Sequence, residues 1–384
     1  MRRRTAERDS VTVTTDSRPP AAPIPPGATI GIVGGGQLGR MTALAAARLG
    51  YRVHVFTPEA DSPAAQVSER ATVADYLDMA ALDAFAGSVD VATFEFENVP
   101  AATVERIAAR APMRPSARCL EIAQDRIREK TFLNANGAPT VPFARIASPA
   151  ELACALDEIG RPAVLKTATL GYDGKGQVKI DARTDPAEAY LRMGADVGIL
   201  EGFVDFACEV SVVLARDAAG RVAAFDVAEN RHANHILDVT LAPAAIAPEV
   251  ADEAERVAAR VAEALGLVGL LAVEMFVTRD GCVLVNEIAP RPHNSGHWTL
   301  DACVTSQFEQ FVRAVCGLPL GDPARHSDAA MKNLIGDEVN RFDALVRDPG
   351  AKIHLYGKGA PRPGRKMGHV TWLFPRGLGP KTPG

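Results

Sequence analysis

From residue 28 onward, short apolar runs alternate with segments in which apolar residues recur at helical spacing. The runs ATIGIVGG and YRVHVFT are typical of buried strands. Between them, the Ala-rich segment Gln37–Leu49 predicts a helix that Gly50 ends. The strand ATVADY, the helical DMAALDAFAGS and the strand VDVATFEFE continue the alternation. Strands separated by helices in this way predict a parallel α/β domain.

The pattern changes after a further predicted helix over Ala117–Asn136. Short strands (PAVLKT, VKI, ILEGFV), an antiparallel hairpin over CEVSVVLARDAAGRVAAFDVAEN and an amphipathic helix over Glu249–Leu265 indicate α+β lobes. A helix near Ser306–Val315 precedes a last region of short β segments. The predicted division is an α/β domain, a small lobe, a large lobe and a C-terminal lobe, over residues 28–137, about 138–205, about 206–325 and 326–384.

Two glutamates, Glu274 and Glu287, flank a turn in the segment LLAVEMFVTRDGCVLVNEIAP. Apolar and β-branched residues on both sides predict a hairpin, with Asp280-Gly281 as a two-residue type I′ turn. That turn would place the glutamates directly opposite each other, with Cβ atoms roughly 4.5–5.5 Å apart. Like charges so close favour a cation between them, and oxygen ligands without His or Cys favour Mg²⁺. The alternatives are two exposed surface carboxylates, or a register slip that places them on different faces.

The first glycine-rich loop, Gly34–Gly39, satisfies the G-x-G-x-x-G pattern after a strand and before a helix. One interpretation is a dinucleotide site, for which Glu59 would be the acidic residue, although it lies beyond Thr57-Pro58. The other is a phosphate monoester at the helix N-terminus, whose free amides bind anions. The motif alone leaves both open.

The second glycine-rich loop, GYDGKGQ at residues 171–177, has three glycines in six positions between two strands. It predicts a flap whose amides and Lys175 fold over phosphates. Lys166 follows the apolar PAVL, where an unpaired charge is costly, so a phosphate partner fits it too. The alternative is a glycine-rich hairpin turn with a lysine that reaches solvent.

Two polar clusters lie late in the chain, in RPHNSGHW and in GKGAPRPGRKMGH. They suit a phosphate or a carboxylate, although charge runs are usually solvated surface loops. Their members are Arg291, His293, Asn294 and His297 in the first, and Lys358, Arg362, Arg365, Lys366 and His369 in the second.

Composition limits the classes of function. The chain of 384 residues has a formal net charge of −5, so no global field favours nucleic acid or an anionic membrane. Its six cysteines are scattered without a C-x-x-C pair, which suits free thiols in a reducing cytoplasm. Residues 1–27 are polar and proline-rich, and they predict a disordered tail rather than a signal peptide. No apolar run is long enough to predict a membrane span.

Taken together, GGGQLGR at 34–40, GYDGKGQ at 171–177, NEIAPRPHNSGHWT at 286–299 and PGRKMGH at 363–369 resemble one family. The chain is similar to 5-(carboxyamino)imidazole ribonucleotide synthase, an ATP-grasp family of purine biosynthesis, from about Thr29 to His369. The resemblance implies a pre-ATP-grasp domain of Rossmann-like α/β type, an ATP-grasp domain over residues 138–325 and a small β-rich C-terminal lobe. It also implies that ATP and bicarbonate form carboxyphosphate, which carboxylates 5-aminoimidazole ribonucleotide in a cytoplasmic homodimer.

The same resemblance implies a role for each matching residue. ATP would be held by Arg126, Lys166, Gly171, Tyr172, Asp173, Gly174, Lys175, Gly176, Gln177, Glu201, Gly202, Phe203, Val204, Glu209, His232, Asn286 and Glu287. Mg²⁺ or Mn²⁺ would be held by Glu274 and Glu287, and the ribonucleotide by Gln37, Leu38, Glu95, Asn294, Lys358, Arg365 and Lys366. The expected catalytic residues are Arg291, His293 and Lys366.

Three rival functions follow from the same residues. A related ATP-grasp ligase could use formate or another carboxylate, the first glycine loop could serve an NAD-dependent oxidoreductase, and a decayed site could leave a non-catalytic nucleotide-binding protein. The family resemblance also breaks off near the end, because PRGLGPKTPG is too rich in Gly and Pro for the strand and helix expected there. We therefore expect a shortened C-terminal lobe.

Overall fold

The computed structural model describes residues 22–170 and 176–382. The N-terminal domain is a parallel sheet with strand order β3-β2-β1-β4, covered by α1 on one face and by α2 and α3 on the other. Its elements are β1 Thr29–Val33, α1 Gln37–Arg48, β2 Arg52–Thr57, β3 Arg70–Val73, α2 Met79–Ala86, β4 Val91–Phe94 and α3 Ala101–Ala108. The predicted parallel α/β domain is confirmed.

The part of the predicted tail that the structure describes is bonded to the domain. Ile24 N donates to the Cys316 carbonyl (2.9 Å), and the Tyr51 hydroxyl donates to the Ile24 carbonyl (2.6 Å). Residues 22–27 therefore differ from the predicted disorder because backbone hydrogen bonds hold them, while residues 1–21 lie outside the described part.

The helix predicted over residues 117–136 is two helices, α4 Ala117–Gln124 and α5 Arg126–Ala135. Asp125 between them is extended, and its carboxylate accepts hydrogen bonds from the amides of Ile127 and Arg128, both at 2.9 Å. The break occurs because Asp125 caps α5 better than it continues a helix.

The small lobe is an antiparallel sheet with strand order β5-β8-β6-β7, packed on α6 and α7. Its elements are β5 Phe143–Ile146, α6 Pro149–Ile159, β6 Ala163–Thr167, β7 Gln177–Ile180, α7 Pro186–Met193 and β8 Gly198–Gly202. Ser148 and Asp185 cap the two helices, each of which begins with proline.

The large lobe is built on one sheet with strand order β14-β13-β9-β11-β12-β15-β17-β16, and β10 pairs with β9. Up to residue 316 its elements are β9 Phe206–Arg216, β10 Val222–Ala224, β11 Ala228–Ala233, β12 Ile236–Ala242, α8 Pro248–Ala264, β13 Gly269–Thr278, β14 Val283–Ala289, α9 Thr299–Ala302 and α10 Gln307–Cys316. The C-terminal elements are β15 Ser327–Ile335, α11 Phe342–Leu345, β16 Lys352–Leu355 and β17 Lys366–Pro375.

The C-terminal strands continue this large sheet, because β12 pairs with β15 over four residue pairs. After β17 the chain turns back, and the amides of Gly377 and Gly379 donate to the Asp328 carboxylate (2.9 and 2.8 Å). No helix among the described residues is long and apolar enough to cross a membrane.

One hydrophobic core joins three parts of the molecule. Leu38 of α1, Phe311 of α10 and Met331 of β15 belong to the same cluster of buried side chains. A second cluster packs α8 against the opposite face of β9 and β13. The N-terminal domain is thereby fixed against the large sheet, so residues far apart in sequence face one cleft.

Candidate active site

A cavity of about 510 Å³ lies between the small and large lobes. It brings together most of the residues predicted to bind the nucleotide and metal, which come from five separate parts of the chain. Those that line it are Arg126, Lys166, Gln177, Glu201, Gly202, Phe203, Val204, Glu209, His232, Glu274, Asn286 and Glu287, with His293, Asn294 and Lys366. The predicted flap residues Gly171, Tyr172, Asp173, Gly174 and Lys175 lie outside the described residues, and the Gly176 carbonyl accepts from Thr167 N (3.0 Å).

The wall at the small lobe carries a buried charge cluster. Glu201, 4% exposed, binds Lys166 Nζ through Oε2 (2.7 Å) and Lys130 Nζ through Oε1 (3.3 Å). Burial would raise the pKa of Glu201, but the two lysines outweigh it and lower that pKa. Arg126 lies nearby and donates through Nη1 to the Thr167 carbonyl (3.0 Å). Two cations around one carboxylate leave an excess positive charge at this wall of the cavity, which suits an anion.

The same cavity has an apolar part beside residues 201–204, where β8 ends. Phe206 and Phe276 stack with ring centroids 4.9 Å apart, and both line the cavity with Val141, Val164 and Ile288. Flat apolar walls next to the polar backbone of a strand end suit a planar heterocycle.

The glutamate hairpin has the predicted pairing, with Glu274 directly opposite Glu287. Its turn is not the predicted type I′ turn. Thr278 N donates to the Cys282 carbonyl (2.9 Å), and Gly281 has φ of +84°, so the loop has three residues with glycine in the left-handed position.

A β-bulge compensates for the longer turn. Met275 pairs with Val285, whereas the next pair is Glu274 with Glu287, so Asn286 is the extra residue of the bulge. The bulge restores the register of the glutamates and turns Asn286 toward the cavity that it lines.

The two glutamates differ in their surroundings. His293 Nε2 lies 2.9 Å from Glu274 Oε1, and Ser295 Oγ lies 2.9 Å from His293 Nδ1. Burial alone would raise the pKa of Glu274, but His293, His232 and Lys366 lower it to about 2. Partial removal of the Glu287 carboxylate from water and the negative charge of Glu274 raise the pKa of Glu287. The side chain of Glu287 is nevertheless exposed to solvent in the cleft. A cation next to Glu287 would therefore stabilise its charged form.

A second histidine pairs with a carboxylate on the neighbouring strands β11 and β9 of the same sheet. His232 Nδ1 lies 3.1 Å from Glu209 Oε2. Burial would lower the pKa of His232, but the hydrogen bond and charge of Glu209 raise it. Both residues line the cavity, and their contact with ATP stays a prediction.

The first glycine loop is occupied by an acid. The Glu95 carboxylate accepts from Gly36 N (2.6 Å) and Gly39 N (3.0 Å). Burial raises the pKa of Glu95, and Arg291 and Lys358 act against that shift. The carboxylate already holds these two amides, so a phosphate at this loop stays a prediction for the other amides at the start of α1. The amides of Gln37 and Leu38 are the first of α1 and have no acceptor within the helix, and the Leu38 side chain is buried in the core.

The C-terminal basic loop docks on the N-terminal domain close to this glycine loop. Gln66 Nε2 donates to the Gly357 carbonyl (3.0 Å), and Arg40 Nη1 donates to Gln66 Oε1 (3.0 Å). Within the loop, Arg365 Nη1 donates to the Lys358 carbonyl (3.0 Å). The loop is therefore folded over the N-terminal domain.

Arg291 lies where the nucleotide cavity and the glycine-loop region approach each other. Its Nε donates to Glu97 Oε2, and Glu97 lines the nucleotide cavity while Glu95, two residues earlier, holds the glycine loop. Asn294, predicted to bind the ribonucleotide, lines the cavity but exchanges two amide hydrogen bonds with Asn333 (3.0 and 2.6 Å).

Sequence reasoning missed Glu97, Glu129 and Lys130. The last two are 2% and 1% exposed, on the buried side of α5 with Leu133. Burial and the charge of Glu287 raise the pKa of Glu129 to about 8. The sequence indicated Glu129 and Lys130 only through their positions, because both charged residues fall on the face of α5 where apolar residues are expected.

The donor set fits a hard cation. Glu274, Glu287 and Asn286 offer only oxygens on one hairpin, as Mg²⁺ prefers when phosphates and water complete its shell. Among the described residues, no group of three or more His, Cys, Asp or Glu side chains could by itself hold a metal ion.

Three family models match the chain. They are the ribonucleotide synthetase preATP-grasp domain over residues 27–124, the ATP-grasp domain over residues 131–308 and the phosphoribosylaminoimidazole carboxylase C-terminal domain over residues 329–376.

Curated relatives and solved structures agree with these models. The chain is 50% identical to N5-carboxyaminoimidazole ribonucleotide synthase of Brucella melitensis, over 91% of this chain and 98% of the relative. It is 44% identical to the Bacillus subtilis enzyme of the same name, over 91% and 92%. The crystal structure of an N5-carboxyaminoimidazole ribonucleotide synthetase with ADP has a TM-score of 0.89 at 44% identity, covering 92% of this chain and 94% of that one. The Aspergillus clavatus enzyme, in complex with ADP and 5-aminoimidazole ribonucleotide, has a TM-score of 0.85 at 30% identity, covering 91% and 94%.

The fold and the site define an ATP-grasp ligase with a preATP-grasp domain. Within that class, the chain belongs to the N5-carboxyaminoimidazole ribonucleotide synthase family.

Proposed function

We propose that this chain catalyses the ATP-dependent carboxylation of 5-aminoimidazole ribonucleotide by bicarbonate, in purine biosynthesis. The proposal rests on the continuity between the nucleotide cavity and the glycine loop of the N-terminal domain. Arg291 pairs with Glu97, which lines the nucleotide cavity, and Glu95, two residues before Glu97 on the same segment, holds the glycine loop. A nucleotide bound at Lys166 and a ribonucleotide bound under the basic loop would therefore meet near His293.

The reaction has two steps. A bicarbonate oxygen attacks the γ-phosphorus of ATP, and ADP leaves to give carboxyphosphate. The amino nitrogen of the ribonucleotide then attacks the carboxyl carbon, phosphate leaves, and the nitrogen gives up a proton. Phosphoryl transfer depends on positioning and charge neutralisation, which Arg126 and Lys166 supply at the phosphates. Arg291, His293 and Lys366 would hold the acid and its phosphorylated form.

Mg²⁺ or Mn²⁺ would be held by Glu274, Glu287 and Asn286, and it would neutralise developing phosphate charge. The chain's own contribution is to orient these oxygens. His293 fixes Glu274 from one side (2.9 Å), and the bulge at Asn286 sets the direction of the neighbouring side chains.

The geometry of the glycine loop disfavours a nicotinamide dinucleotide. A pyrophosphate would need the amides of Gly36 and Gly39, which already bind the Glu95 carboxylate. Two anions on the same amides repel each other, and the exposed Glu59 lies two residues beyond β2 rather than at the strand end.

The deciding experiment measures ADP release with bicarbonate, formate or no added acid, each with and without 5-aminoimidazole ribonucleotide. We expect release only with bicarbonate and the ribonucleotide together. Release that depends on formate would support the related ligase instead, and no release under any condition would support the decayed nucleotide-binding protein.

We also infer that the chain functions as a cytoplasmic homodimer, as the family resemblance implies. Light scattering of the purified full-length chain tests the homodimer. A mass of one chain at micromolar concentration would contradict it.

A further inference from the structure

Strand β14 lies at an edge of the large sheet, and among the described residues its outer side is paired only by an isolated bridge between Thr140 and Val285. Backbone groups at such an edge must be satisfied in another way when they are buried. Two consecutive side chains of α5 do this. Lys130 Nζ donates to the Asn286 carbonyl (3.0 Å), and Glu129 Oε1 accepts from Ile288 N (2.7 Å). These bonds lie immediately before and after Glu287.

Both side chains are buried to an unusual degree for charged residues, with Lys130 1% and Glu129 2% exposed. Burying a lysine is costly unless its hydrogen bonds and charge are satisfied. Lys130 has a second partner, because its Nζ lies 3.3 Å from Glu201 Oε1 across the cavity wall. One lysine thus connects the bulge on β14 with the end of β8.

We propose that Glu129 and Lys130 form a clamp that positions Asn286 and Glu287 for the metal and phosphates and couples them to Glu201. The clamp rests on the proposed function, since it acts on the same nucleotide site. It makes both groups positioning residues rather than catalytic ones.

The clamp has a second consequence for Lys166. Glu201 binds Lys166 Nζ at 2.7 Å in this structure, and a phosphate that binds Lys166 would compete with Glu201 for this ammonium. Lys130 keeps Glu201 compensated when that happens. Without Lys130, the strong pair of Lys166 and Glu201 would be retained, because leaving Glu201 as an unpaired buried charge is costly.

The test uses the full chain and compares four variants with the wild type. Lys130→Met removes the ammonium, and Glu129→Leu removes the acceptor for Ile288 N. Glu129→Gln keeps a carbonyl acceptor at the same place. Arg128→Met makes the same charge change as Lys130→Met at an exposed position of α5. Calorimetry measures ADP binding over a series of Mg²⁺ concentrations, and thermal unfolding reports whether each variant is folded.

We expect Lys130→Met and Glu129→Leu to weaken ADP binding about tenfold or more and to raise the Mg²⁺ concentration needed for half-maximal binding. Glu129→Gln and Arg128→Met should behave like the wild type. If Lys130→Met does not fold, the comparison of Glu129→Leu with Glu129→Gln still decides the question.

Two results would overturn the clamp. One is unchanged, Mg²⁺-dependent ADP binding in folded Lys130→Met and Glu129→Leu. The other is an equal loss of affinity for ADP and for 5-aminoimidazole ribonucleotide, which a general structural defect would cause. Failure of the proposed function is distinguishable, because the wild type would then bind ADP with Mg²⁺ but release none from ATP in the presence of bicarbonate and ribonucleotide.

Discussion

Arg365 is the residue at which the assignment of the basic loop can be tested most directly. The loop docks on the N-terminal domain through Gly357 and Gln66, neither of which lines the cavity that contains Lys166 and Glu201. Arg365 also donates to the Lys358 carbonyl at 3.0 Å, so Nη1 orders the loop while the rest of the guanidinium can face a phosphate. Arg365→Ala should therefore act on the ribonucleotide and not on ATP.

The expected size follows from the contact that is lost. A hydrogen bond between charged groups contributes about 1.5–3 kcal/mol. Since about 1.4 kcal/mol corresponds to a factor of ten, the KM for 5-aminoimidazole ribonucleotide should rise about tenfold to about a hundredfold. Arg365 is partly exposed, so the lower part of that range is expected. The KM for ATP should stay within about twofold.

Steady-state kinetics that vary each substrate in turn measure both constants. Arg362→Ala is the matched control, because Arg362 belongs to the same loop, carries the same charge and is exposed. It should leave both constants nearly unchanged. A selective rise in the KM for ATP, or equal effects of the two variants, would refute the placement of Arg365 at the ribonucleotide.

Three further outcomes are expected. Glu274→Gln and Glu287→Gln should each slow ATP turnover, because each removes several kcal/mol of transition-state stabilisation by the metal. If both variants kept the wild-type turnover rate at limiting Mg²⁺, the metal assignment would be contradicted. Calorimetry should detect 5-aminoimidazole ribonucleotide but not NAD or NADP, and tight NAD binding would restore the oxidoreductase. Glu129 has a pKa of about 8 in the folded chain and about 4.3 in the unfolded chain. Between these pH values only the folded chain keeps the proton on Glu129. The free energy of unfolding therefore falls as pH rises from about 4.3 to about 8. Urea unfolding should therefore show Glu129→Gln gaining stability over the wild type from pH 5 to pH 8, whereas an equal difference at both pH values would contradict the burial of this acid.

Local pattern determined the elements that rest on short-range physics. The alternation of apolar runs and helical segments predicted β1, α1 and β2, because strand and helix periods differ and buried faces must be apolar. The same pattern predicted the pairing of Glu274 with Glu287. The residue types also identified Lys166 and Glu201 as members of one site, through the family motifs that surround them.

Tertiary structure decided what depends on partners distant in sequence. The hairpin reached its register through a three-residue turn and a bulge at Asn286, a combination that residue counting cannot distinguish from a two-residue turn. Only the fold places Glu95 on the glycine-loop amides, and only the fold makes Lys130 a buried link between β14 and β8. The sequence by itself specified which groups the chain carries and which local elements hold them. Their pairing across the cleft was decided by packing, because a buried charge is stable only where a partner from another element meets it.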